Sequence, residues 1–338
     1  MNLNNIFKKV TGVALAAILS FGTFTVDAYA AEAPTLTKNV GNENQYFGGG
    51  TFTFAIEDGT IRNDEFEGFN KPANGKNLVK LTNGGQITIP AGSNTGTLPL
   101  GLAKDLTDVP VGVYRYKISE TKSGINGVTD DDSVYYIDVF VTRDEDNNKQ
   151  IEAVQVRKST NLKDKVDLVF NNKLESNQIT VSKTVTGNQA NLDDTFNFTF
   201  SLDTEGKAFR YSTDGGTKWT TVEAGKTGTV PLKNNQSFVI DGLAAADTID
   251  VSESELESNA VKDYVSTYSI NGGTSQSGNA ADNVAGDQNT IAFTNTKDQQ
   301  IPTGLIENIA PFVLAIAAAG IVFFIYFKRD KDEEGQYA

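Results

Sequence analysis

Two stretches of the chain open on the same pattern, an alternating strand with one lysine set among its apolar residues. The first is TLTKNVGNENQYFGGGTFTFAI (35–56) and the second is ITVSKTVTGNQANLDDTFNFTFSL (179–202). In the second, strict alternation puts Ile179, Val181, Lys183 and Val185 on one face and Thr180, Ser182 and Thr184 on the other. The threonine and serine face belongs to solvent, so Lys183 points into the core. A lone buried ammonium costs more than a marginally stable domain can lose. The fold must therefore deal with that lysine chemically.

Other segments recur in the same order. VPVGVYRYKISET (109–121) resembles GLAAADTIDVSESE (242–255), VYYIDVFVTRD (134–144) resembles DYVSTYSING (263–272), and DLVFNNK (167–173) resembles TIAFTNTK (290–297). Short alternating runs punctuated by Gly, Asn and Asp predict an all-β chain of two homologous sandwiches, at 31–173 and 178–298. The junction at Lys173–Gln178 is too short to be a flexible linker.

Period-two alternation gives matching inward sets. In the first half they are Leu36, Lys38 and Val40; Tyr116, Ile118 and Glu120; and Leu168, Phe170 and Asn172. In the second they are Val181, Lys183 and Val185; Ile249, Val251 and Glu253; and Ile291, Phe293 and Asn295. Asn171 lies beside Asn172, but the residue two past Phe170 is the one that must face inward. Each half thus aims one lysine, one glutamate and one asparagine into its core.

Burial lowers a lysine pKa and raises that of a glutamate, so both move towards their neutral forms. A neutral amine is a nucleophile, and a protonated carboxyl can polarise an amide and carry a proton to departing ammonia. Held in contact, such groups react at a high effective molarity. The expected product is an isopeptide between Lys Nζ and Asn Cγ, formed once per domain, with Glu120 and Glu253 as the promoting acids. That is a single-turnover reaction, not enzymatic turnover.

Rival chemistries are scarce. The chain has no cysteine and no histidine, which removes disulfides, thiol nucleophiles, Ser-His machinery and the commonest metal ligands. Its 43 acidic against 29 basic residues argue against nucleic acid as a partner. DEDNN (144–148) begins like a calcium loop with Asp144, Asp146 and Asn148. Lys149 stands where glycine is needed, however, and Gln155 where glutamate is needed. It reads as a hairpin turn and TDDDS (129–133) as a solvated loop. No cofactor and no metal are expected.

Both ends carry export signals. Residues 1–30 have Lys8 and Lys9, an apolar run from Val10 to Phe24, and small residues at Ala28, Ala30 and Ala31, the pattern of a signal peptide cleaved after Ala30 or Ala31. Residues 309–327 are apolar and, at ~1.5 Å per residue, long enough to span about one hydrocarbon core. Lys328, Arg329 and Lys331 follow and assign 328–338 to the cytoplasm.

The order Lys, Glu, Asn, the FTN ending and this tail resemble the two-domain backbone pilins of Gram-positive bacteria, most closely the streptococcal T-antigen type. The resemblance implies two Ig-like (CnaB-type, inverse-Ig) sandwiches with cross-links Lys38–Asn172 and Lys183–Asn295. It implies that QIPTG (Gln300, Ile301, Pro302, Thr303, Gly304) is a sorting signal, although its proline sits one position later than in L-P-x-T-G. A pilin sortase would cut Thr303–Gly304 and pass Thr303 to a lysine of the next identical subunit. The family acceptor lies shortly before the last strand of the first domain, where Lys158, Lys163 and Lys165 occur. Spacing from Asn172 favours Lys165, with Lys163 next. Tip and base accessory pilins, and peptidoglycan reached through a housekeeping sortase, complete the implied partners. The precursor is expected in the plasma membrane and the product on the cell wall as a pilus. The alternative reading, a wall-anchored adhesin binding host tissue directly, needs a separate binding domain, for which the chain has no room.

Overall fold

The computed structural model describes residues 31–73, 75–255, 264–298, 312, 314–317 and 319. The expected signal peptide (1–30), sorting motif (300–304) and cytoplasmic tail (328–338) lie outside the described residues, as does most of 309–327. No helix among the described residues is long and apolar enough to cross a membrane.

The first half contributes β1 (Thr35–Val40), β2 (Gly50–Asp58), β3 (Val79–Leu81), β4 (Gln86–Ile89) and β5 (Thr95–Leu102). It continues with β6 (Gly112–Glu120), β7 (Val128–Thr129), β8 (Val134–Arg143), β9 (Lys149–Lys158) and β10 (Val169–Leu174). The second half contributes β11 (Asn177–Thr186), β12 (Phe196–Leu202), β13 (Phe209–Ser212), β14 (Thr220–Val222), β15 (Thr227–Leu232) and β16 (Ser237–Leu243). It ends with β17 (Thr248–Glu255), β18 (Val265–Ile270), β19 (Gln276–Ser277), β20 (Ala280–Ala285) and β21 (Thr290–Thr296).

Each half is a two-sheet sandwich. In the first, the sheet β3-β5-β1-β10-β7 covers the sheet β4-β2-β6-β8-β9; in the second, β14-β13-β16-β11-β21-β18-β19 covers β15-β12-β17-β20. The inner faces close two separate cores, one holding Leu36, Phe52, Phe54 and Phe170, the other Val181, Phe196, Phe198 and Phe293. The alternation that builds them is literal in β11, where Ile179, Val181, Lys183 and Val185 are buried and their neighbours are not.

First and last strands of each sandwich are parallel neighbours in the same register. Lys38 pairs with Phe170 and Val40 with Asn172; Lys183 pairs with Phe293 and Val185 with Asn295. Because both partners belong to one sheet, lysine and asparagine approach the core from the same side. Glu120 on β6 and Glu253 on β17 approach from the opposing sheet.

One expected correspondence is corrected. β8 pairs with β6 in the glutamate sheet, whereas β18 pairs with β21 in the lysine sheet. The strand that stands to β17 as β8 stands to β6 is β20, and the counterpart of β18 is the two-residue β7, which pairs with β10. Residues 134–144 and 263–272 share an alternation, not a place in the fold. DEDNN is the hairpin turn between β8 and β9, closed by Asp144 N–H donating to Asn148 O at 2.9 Å, with Asn147 at φ 69°.

Only Glu175 and Ser176 separate β10 from β11. Ala208 N–H donates to Gly48 O at 3.1 Å across the junction. The Arg210 guanidinium lies 5.0 Å from the Tyr46 ring centroid and 4.3 Å from that of Trp219, while ion-pairing with Asp241 at 2.6 Å. Gly242, at φ +92°, lets Tyr46 in: a Cβ there would lie 2.6 Å from the ring.

Candidate functional site

In the first sandwich Lys38 Nζ donates to Glu120 Oε2 at 2.9 Å, and Asn172 Nδ2 donates to Glu120 Oε1 at 2.9 Å. One carboxyl thus bridges the amine and the carboxamide across the core. The Lys38 and Glu120 side chains are wholly inaccessible to solvent. Asn171 faces outward and accepts from Asn39 at 2.9 Å, so of the two adjacent asparagines it is Asn172 that enters the site.

The second sandwich repeats the constellation with looser hydrogen bonding. Lys183 Nζ lies 2.6 Å from Glu253 Oε1 in an ion-pair contact without hydrogen-bond alignment. The same oxygen accepts from Asn295 Nδ2 at 2.9 Å. Asn295 Oδ1 and Glu253 Oε2 have no hydrogen-bond partner among the described residues.

Burial dominates the electrostatics of both sites. It holds Lys38 below the ordinary lysine value and pushes Glu120 above the ordinary carboxyl value, each against the pull of its partner. Lys183 is lowered to about 8 by burial, and Glu253 is raised by the same cause. Both shifts lower the cost of moving one proton from amine to carboxylate, a transfer that leaves a nucleophile beside an amide and an acid.

Two features of the sites escape a reading of inward faces alone. The first is aromatic: Phe52 lies 4.9 Å from Lys38 Nζ, and Phe196 lies 4.1 Å from Lys183 Nζ. Two residues on, Phe54 packs on Phe170 at 5.0 Å and Phe198 on Phe293 at 5.1 Å. The Phe-x-Phe pair shared by TFTFAI and TFNFTF was its visible signal. The second is acidic. In TDDDS, Asp132 is a solvated charge paired with Lys122 at 2.7 Å, as expected. Asp130 and Asp131 are not: Asp130 Oδ1 accepts from Asn172 Nδ2 at 3.1 Å, and Asp131 N–H donates to Asn172 Oδ1 at 2.7 Å. The turn after β7 folds these two residues onto the asparagine, which corrects the solvated-loop expectation.

Comparison with known proteins agrees with this geometry. Residues 34–175 match the family model of a Spy0128-like isopeptide containing domain, and residues 177–297 match a domain of unknown function, DUF7601. A pilin of Streptococcus pyogenes serotype M1 is 28% identical over 345 residues, spanning 93% of this chain and 97% of that one. The crystal structure of the major pilin from Streptococcus pyogenes superposes with a TM-score of 0.55 at 25% identity, covering 80% of this chain and 100% of that one. Along most of its length the chain is thus similar to streptococcal major pilins. A shorter likeness, 34% over 133 residues, is to the pilus tip adhesin Cpa of Streptococcus pyogenes, covering 38% of this chain and 18% of the adhesin.

The three candidate acceptor lysines of the chain sit at the end of β9 and in the segment after it. Lys158 is half-buried, with its amine 5.7 Å from the Tyr135 ring. Lys163 and Lys165 are exposed. Val166 N–H donates to Val156 O at 3.0 Å, and Arg157 donates to Leu162 O at 2.9 Å, so the segment is pinned along the β9 edge. Partial burial of its amine, and then the nearby Arg157, hold Lys165 below the ordinary lysine value.

Proposed function

We propose that this chain is the backbone subunit of a sortase-assembled, covalently polymerised surface pilus, and that each of its sandwiches is closed by a self-formed isopeptide. The bonds join Lys38 to Asn172 and Lys183 to Asn295, with Glu120 and Glu253 as proton carriers. The observation that carries the reading is the repetition of one register: in both halves lysine faces phenylalanine across a parallel pair, with asparagine two residues beyond. Intact mass of the purified protein tests it. Loss of two ammonia equivalents, with tryptic peptides joined at 38–172 and 183–295, is the expected result; separate linear peptides overturn it.

In this reading a pilin sortase cleaves Thr303–Gly304 within QIPTG and transfers Thr303 to Lys165 of the next subunit. Spacing from Asn172 favours Lys165, and its lowered pKa makes its amine more available as a nucleophile at neutral pH. Tip and base pilins join the same polymer, and a housekeeping sortase attaches it to peptidoglycan. A load entering at Lys165 and leaving at Thr303 runs through β10 and β11, crosses at the Lys183–Asn295 bond, and bypasses 184–294.

A further inference from the structure

Among the described residues, Asn172 is held from three sides and Asn295 from one. Beyond the Glu120 contact, Asn172 Oδ1 accepts the Asp131 backbone N–H at 2.7 Å, and Asn172 Nδ2 donates to Asp130 Oδ1 at 3.1 Å. This arrangement also fixes which end of the carboxamide is oxygen, since an N–H must meet oxygen and a carboxylate must meet NH2. The turn is itself anchored: Asp131 accepts from the N–H groups of Asn171 and Ser133, both at 2.8 Å, and Asp130 from that of Ser123 at 3.0 Å.

Register identifies the same place in the second sandwich. Thr129 opposes Lys173, one past Asn172, and Val265 opposes Thr296, one past Asn295. Asp130 and Asp131 therefore correspond to Ser266 and Thr267. No carboxylate stands there, and Asn295 Oδ1 has no partner among the described residues.

Resting on the isopeptide reading, we propose that Asp130 and the backbone N–H of Asp131 are additional catalytic groups of the first sandwich that the second lacks. Neutral Lys38 Nζ attacks Asn172 Cγ, forming the Nζ–Cγ bond while the carbonyl pair moves to Oδ1. The Asp131 N–H is already aimed at that developing oxyanion. Glu120 removes a proton from Nζ and delivers one to Nδ2. The Cγ–Nδ2 bond then breaks with its electron pair on nitrogen, and Asp130 accepts a hydrogen bond from the departing ammonia. Amine plus carboxamide give amide plus ammonia, with no change of oxidation state. The first bond thus forms faster than the second.

The test follows the full chain made by pulsed cell-free translation, with tryptic mapping of both cross-linked peptides over time and the second sandwich as internal clock. In the wild type the first bond should close ahead of the second. Asp130→Ala should slow the first about ten-fold or more and leave the second unchanged. Asp130→Asn, which keeps an acceptor oxygen, should fall between. Ser266→Asp should speed the second bond. A first-domain rate within about two-fold of wild type in a folded Asp130→Ala protein overturns the proposal. Should Asp130→Ala fail to fold, an unchanged second-domain rate in Ser266→Asp overturns it. Absence of both cross-linked peptides from the wild type instead removes the isopeptide reading on which the proposal rests.

Discussion

Asn172 pairs with Val40, two residues beyond the Lys38–Phe170 pair on the parallel β1–β10 ladder. At about 3.3 Å per residue, that offset places the carboxamide within reach of an extended lysine side chain. Lysine therefore needs no strand distortion to meet asparagine, and Phe170 fills the space beneath the contact.

Asn172→Ala should remove the first bond and leave the second intact. The chain-entropy model, taken by analogy with a disulfide closing a loop of comparable size, puts the loss on the order of 4–5 kcal/mol. Calorimetry should show the first-domain transition falling by more than about 10 °C while the second holds. Protease should then cut the first domain preferentially. Unaltered melting of the first domain would sink the prediction.

An Asn295→Ala protein keeps Lys183 as a free amine, and its stability should depend on pH. The folded amine sits at about 8 against 10.5 for an unhindered lysine. Between those values the unfolded chain still holds a proton that the folded chain has lost, so stability rises with pH through that window. Below about 8 both states are protonated, and the contribution is flat and unfavourable. Glu253 acts oppositely lower down. Its raised pKa keeps the folded carboxyl protonated after the unfolded one ionises near 4.5, so stability falls as pH climbs from there. Urea midpoints of the second domain between pH 5 and pH 10 should pass through a minimum. A profile without a rise above pH 8 contradicts the assignment.

Phe196→Leu tests the aromatic wall. The ring lies 4.1 Å from Lys183 Nζ and packs edge-on against Tyr264 at 5.6 Å. A smaller side chain admits water, keeps the amine protonated and leaves a cavity worth roughly 1–3 kcal/mol. Formation of the second bond should slow while the first keeps its rate; equal rates for wild type and variant would remove the ring from the chemistry.

Lys165→Ala should abolish the high-mass ladder on whole cells, with both internal cross-links intact. Lys163→Ala should leave the ladder in place. The reverse pattern moves the acceptor to Lys163.

Arg210→Ala should loosen the junction without unfolding either domain. The guanidinium holds Tyr46 of one sandwich against Trp219 and Asp241 of the other. Small-angle scattering should broaden towards a distribution of interdomain angles, while both melting transitions move little. An unchanged scattering profile would assign the rigidity to Glu175–Ser176 and the Ala208–Gly48 hydrogen bond instead.

Much of this site was legible because a two-residue period is a strong constraint: once Ile179 and Val181 face inward, Lys183 must follow. The same rule located Glu120, Glu253, Asn172 and Asn295 on inward faces without any knowledge of which strands pair. Pairing itself was not legible. Residues 134–144 and 263–272 alternate alike, yet one joins the glutamate sheet and the other the lysine sheet, since alternation fixes a face and not a neighbour. Asp130 and Asp131 were hidden for another reason. A run of acidic residues looks solvated until a turn brings two of them back over an asparagine forty residues later in sequence.

The Tyr46–Arg210–Trp219 stack has a meaning beyond one molecule. In the proposed polymer, with the tilt between the two sandwiches set by that stacking, each added copy would contribute the same rise and twist. Such a fibre should diffract as a regular helix, and substitutions at position 210 should blur its layer lines before they shorten it.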